Sequence, residues 1–64
     1  MQSKVIGYKF GIEVYREDFN SYQDAFNKAL DKNRFENMGC VVLTYDELRK
    51  RWQKQTSLYV KESY

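Results

Sequence analysis

Thr44 is followed three residues later by Glu47, and Leu43 and Leu48 bracket the pair. Thr and Glu at that spacing form a capping box, in which each side chain bonds an orphan backbone N–H of a helix start. Leu43 and Leu48 then occupy the N′ and N4 positions of a hydrophobic staple. Two independent signals agree on one residue, so the sequence predicts a helix opening at Thr44. Its buried stripe is Leu48 and Trp52, flanked by Tyr45 and Gln55. Asp46 and Glu47 lie in its first turn, and Arg49, Lys50, Arg51 and Lys54 follow, an order that suits the helix dipole.

Residues 4–16 alternate with period two. Ile6, Tyr8, Phe10, Ile12 and Val14 take one parity, and Val5, Gly7, Lys9, Gly11 and Glu13 the other. This is the pattern of strand with one apolar face. One long strand is one reading. A hairpin is the favoured one, with a three-residue loop Lys9-Phe10-Gly11 that pairs Tyr8 with Ile12 and Ile6 with Val14. A two-residue turn at Phe10-Gly11 would mix the faces. A helix follows from about Ser21 to Lys32, capped by Ser21 with Asp24 three residues on. Its apolar stripe is Phe19, Tyr22, Phe26, Ala29 and Leu30. Residues 33–39 read as a connection pinned by Phe35 and Met38. Cys40–Leu43 is a short apolar run that reads as a buried, central strand. Residues 56–64 read equally as a last strand or a frayed extension of the helix. The expected fold is α+β over residues 1–64: a small single-layer antiparallel sheet packed by two helices, in the order ββαβα with an optional C-terminal strand.

Such a chain has little material for a core. A domain of 64 residues buries only ~60% of its unfolded surface. It holds one cysteine, Cys40, so no internal disulfide can form, and it has no histidine, the commonest zinc ligand. Aromatic mass compensates, with four Phe, six Tyr and one Trp. Self-association is another way to enlarge a small core. The net charge of +2 argues against a generic polyanion binder. Residues 1–36 balance six bases against six acids, so the excess lies in the second half. No apolar run spans a bilayer and no signal-peptide core is visible, and a lone cysteine fits a reducing compartment, so a cytoplasmic location is expected.

Catalysis is poorly supported. The usual general base is absent, Cys40 opens an apolar strand where an inert thiol belongs, and no glycine-rich phosphate loop occurs. The string Glu13, Glu17, Asp18 lacks the ligand pattern of a calcium loop. Neither cofactor nor metal is expected. Arg49, Lys50, Arg51 and Lys54 would place four cations within two helical turns, a surface fit for phosphates. The plainer reading is internal pairing, Asp46 with Lys50 and Glu47 with Arg51, leaving Arg49 and Lys54 in excess. Tyr15, Tyr45 and Tyr59 fall off the clearest buried stripes, and exposed Tyr beside Arg is the composition of protein-binding hot spots.

The leading expectation is therefore a small non-enzymatic protein that docks onto a larger macromolecule, a host protein. Compact, cofactor-free chains of this kind are common among phage and mobile-element products that inhibit or redirect host machinery. The alternative is a nucleic-acid-binding regulator using the basic face of the second helix, and a homo-oligomer stays open.

Overall fold

A computed structural model describes residues 2–60. Its elements are β1 (Ser3–Lys9), β2 (Ile12–Phe19), α1 (Tyr22–Phe35), β3 (Gly39–Asp46) and β4 (Arg51–Leu58). The strands form one antiparallel sheet in the order β2-β1-β3-β4. The expected ββαβα order with two helices is thereby corrected to ββαββ with one helix.

The helix expected at Thr44 is strand. Thr44 lies within β3, where it pairs with Ser3 on one side and Gln53 on the other. The Thr44–Glu47 spacing met the form of a cap, but the residues before it decide otherwise. Cys40, Val42 and Thr44 alternate with Val41, Leu43 and Tyr45, and both sets pack: the first are buried and the second half-buried. β-Branched and aromatic side chains suit a pleated surface better than a helix. The capping group is Asp46 rather than Thr44. Its Oδ1 accepts from the backbone N–H of Leu48 at 3.0 Å and of Arg49 at 3.2 Å, closing a turn at 47–50. Lys50 completes it at φ 54°. Leu48, the expected staple residue, is 97% exposed.

The β1–β2 hairpin forms with a tighter turn than expected. Phe10 and Gly11 make a two-residue turn at φ 54° and 75°, so Lys9 pairs with Ile12 and Tyr8 with Glu13. Positive φ at both positions matches the strand twist. The mixing of faces is repaired by a bulge: Val14 has no partner, and Gly7 pairs with Tyr15. A second bulge in β4 leaves Gln55 between the pairs Val42–Thr56 and Leu43–Lys54. Each outer strand thus carries one bulge.

α1 lies across one face of the sheet. Ser21 is its N-cap and accepts from Asp24 N–H at 3.1 Å, as its sequence signal implies. The helix runs three residues past Lys32, to Phe35, and Glu36 closes it. Beneath it, Val5, Cys40 and Val42 meet Ala25, Ala29 and Met38, with Tyr15, Phe19, Tyr22 and Leu58 at the margin. The two alanines let the helix approach closely. Gly7 is buried for the same reason, since a Cβ there would stand 2.1 Å from Met38 Sδ. Tyr22 stacks on Phe26 and its hydroxyl lies 2.6 Å from Thr56 Oγ1, tying the helix to β4.

Candidate functional site

The four cations do not share a face. Arg49 and Lys50 sit in the β3–β4 turn, and Arg49 Nε lies 3.8 Å from Asp46 Oδ2. Arg51 opens β4 opposite Asp46, on the helix side of the sheet. Lys54 pairs with Leu43, on the opposite side. The nucleic-acid alternative thus loses the helix on which it rested.

The tyrosines are equally dispersed. Tyr15 lies on the helix side of β2 with Lys32 Nζ 4.5 Å from its ring centre, and its hydroxyl donates to the Glu17 carboxylate. Burial, and then the Glu17 carboxylate, push its phenol well above the usual range. Tyr45 lies on the face away from α1, edge-to-face with Trp52 at 5.3 Å. Tyr59 follows β4 and is 79% exposed. Of residues 56–64, which read equally as strand or helix extension, 56–58 are strand at the end of β4, and 61–64, Tyr64 among them, lie outside the described residues.

The arrangement offers little obvious chemistry. Cys40 is buried, and that burial raises its thiol pKa, which suits a packing role. Among the described residues no three His, Cys, Asp or Glu side chains gather as metal ligands would. A groove of about 490 Å³ lies beside the β3–β4 turn, but its polar groups bond one another, Gln53 to Asp46 at 3.0 Å and Gln55 to Thr44 at 2.9 Å. No helix among the described residues is long and apolar enough to cross a membrane.

What the structure does bring together is apolar. β1 runs toward the Phe10–Gly11 turn, α1 ends on that side, and β4 ends there too, because Cys40 near the start of β3 pairs with Leu58. The large hydrophobic side chains exposed among the described residues are Phe10, Ile12, Val14, Leu30, Phe35, Tyr59 and Leu48. All but Leu48 lie in this half of the molecule. Phe10 is 100% exposed and Phe35 76%. Two shallow grooves meet there at Asn37, one of about 330 Å³ bordered by Tyr8, Phe10 and Val60, the other of about 380 Å³ bordered by Leu30 and Tyr59. The charged side chains lining them are Lys9 and Arg34. Neither forms an ion pair among the described residues, whereas Glu13 is bonded to Arg16 and Glu36 to Lys32. Asn33 Nδ2 fixes the floor by donating to the carbonyls of Met38 and Tyr59.

Sequence reasoning singled out Tyr59 but missed the rest of this end, because it assigned most of the other side chains to the core. Phe10, Ile12 and Val14 carry the parity of Ile6 and Tyr8, and Phe35 was expected to pin a loop. One signal pointed the other way. A Phe-Gly turn places an aromatic ring at a hairpin tip, beyond any sheet that could cover it.

No protein-family model, curated protein or solved structure matches the chain. The fold itself defines a two-layer α+β domain, a four-stranded antiparallel sheet with one helix, and the function is argued from its surface.

Proposed function

We propose that the chain is a non-enzymatic binding domain that docks onto a protein through the end formed by Phe10, Ile12, Phe35 and Tyr59, into an apolar pocket rimmed by acidic side chains. The observation that carries this reading is Phe10. Its φ of 54° lies in the left-handed region, which costs an L-residue ~1–2 kcal/mol. Asn or Gly would fit the same turn better. Its ring packs on nothing among the described residues. A residue that costs the fold and gains no packing from it is suited to packing against something else. An exposed aromatic with aliphatic neighbours is the usual centre of a protein interface. Lys9 and Arg34 favour a partner of opposite charge.

The test is affinity capture from a nuclease-treated lysate, comparing the natural chain with Phe10→Asn, Phe35→Ser and Lys54→Ala. A protein recovered by the natural chain and by Lys54→Ala, and lost with both Phe variants, supports the reading. Recovery of nucleic acid alone, or of the same protein by all four chains, refutes it.

A further inference from the structure

The sheet face turned away from α1 is organised in cross-strand rows. One row runs Asp18, Lys4, Leu43, Lys54 across β2, β1, β3 and β4. The next runs Arg16, Ile6, Val41, Ser57, and beyond it Tyr8 pairs with Gly39. The two inner strands supply the apolar part. Ile6 is buried, and Tyr8, Val41, Leu43 and Tyr45 are half-buried. The charges lie toward the edges and differ in sign. β2 carries Glu13, Arg16 and Asp18, with Arg16 bonded to Glu13 at 2.8 Å, so Asp18 is its surplus charge. β4 carries Lys54. On β1, the Lys4 ammonium is held 4.3 Å from the Trp52 ring centre.

We propose that this face is covered by a second copy of the chain, in a face-to-face dimer whose two-fold axis runs along the strands between β1 and β3. That axis lays β2 of one copy on β4 of the other while keeping each row at its own level. Asp18 then meets Lys54 of the second copy, and the contact occurs twice by symmetry. Near the axis, Ile6 faces Val41 of the second copy, and the Tyr8 ring lies over its Gly39, large side chain against small. The aliphatic stem of Lys4 lies on Leu43 of the second copy while its ammonium stays on the Trp52 ring. Sheets packed this way cross at about 30° with their faces about 10 Å apart.

Charge separates this surface from the docking end. Two copies meeting through Phe10 and Phe35 would bring Lys9 and Arg34 against themselves, whereas the sheet face sets Asp18 against Lys54 at both edges. The dimer leaves Phe10, Ile12, Phe35 and Tyr59 uncovered while sharing Tyr8 with the groove beside Phe10, and it does not depend on the docking reading. Four strands about 4.8 Å apart and six residues about 3.3 Å apart give a face of about 19 by 20 Å. That is about 380 Å² per copy, below the size of a standard stable interface, so the dimer is weak and transient and forms only at high concentration.

Sedimentation equilibrium of the 64-residue chain tests this, from about 5 to about 500 µM. The expected mass rises from 7.8 kDa toward twice that value. Asp18→Lys and Lys54→Asp, each at an exposed position, should each weaken association about tenfold, and the double exchange should restore it. Asp18 and Lys54 lie on opposite edge strands with two strands between them within one chain, so restoration reports a contact between copies. Leu43→Lys, checked for folding by circular dichroism, should remain monomeric. A constant monomer mass overturns the proposal, as does a double exchange that restores nothing. A dimer indifferent to Asp18→Lys but lost with Phe10→Asn assigns association to the other end. A monomer whose Trp52 fluorescence is quenched by single-stranded oligothymidine, or whose Leu43→Lys variant loses a captured protein, assigns the face to that occupant. Each of these results also overturns the dimer.

Discussion

Replacing Phe10 with Asn should make the protein more stable while removing its docking. The natural turn holds a phenylalanine at φ 54° ahead of Gly11 at φ 75°. Those angles are the ones for which Asn-Gly is the preferred dipeptide. An ordinary L-residue in the left-handed region costs ~1–2 kcal/mol, and Asn recovers part of that through local hydrogen bonding. The ring is 100% exposed, so its removal forfeits no burial that would offset the gain. The expected net change is a stabilisation of about 1 kcal/mol. For a domain near this size that raises Tm by about 4–8 °C. Thermal unfolding by circular dichroism reads the shift, and urea titration at constant m confirms that it arises in stability. Phe10→Gly serves as a second variant with the same sign. A Tm that falls by more than about 3 °C would sink the reasoning, since the ring would then be packing on its own fold.

Gly7→Ala should destabilise the fold by about 1–3 kcal/mol, because its Cβ would stand 2.1 Å from Met38 Sδ. Adding Met38→Ala should relieve that clash, so the double variant in urea should be more stable than the sum of the singles predicts. Asp46→Ala should cost about 1 kcal/mol and speed hydrogen exchange at Leu48 and Arg49, whose N–H groups it leaves unbonded. The Glu13 and Glu36 carboxyls are held below the usual 4.5, chiefly by hydrogen bonds to Arg16 and Lys32. Folding therefore gains from these groups above the ordinary carboxylate range and loses that gain as pH falls through their lowered values. Urea titrations on the acid side should show stability falling, with a shallower fall in Glu13→Gln/Glu36→Gln.

The two halves of the chain were unequally legible. The hairpin over 4–16 and the helix capped by Ser21 could be read because their periodicities are long and their caps agree with them. The second half was ambiguous at one point. Thr44, Glu47, Leu43 and Leu48 satisfy a helix start by spacing alone, while Val41, Val42, Thr44 and Tyr45 favour strand by side-chain shape. Tertiary pairing settled the contest, because β3 is flanked by β1 and β4 and a helix there would leave both inner edges unpaired. The bulges at Val14 and Gln55 were invisible to an argument that assumes strict alternation. With them went the placement of Val14, which strict parity sends to the core. The candidate site followed from these errors, since the basic cluster existed only on a helix and the apolar end only once its residues had left the core.

The same two bulges bear on what the protein does when it is concentrated. A sheet grows by adding backbone to its rim, and growth needs a straight run of unpaired N–H and C=O groups. Here the rim on either side is bent out of line near its middle, at Val14 and at Gln55, and is studded with charge. Ribbon-like growth at these rims is thereby disfavoured. The expectation for a concentrated sample is discrete particles rather than fibres, which light scattering reads.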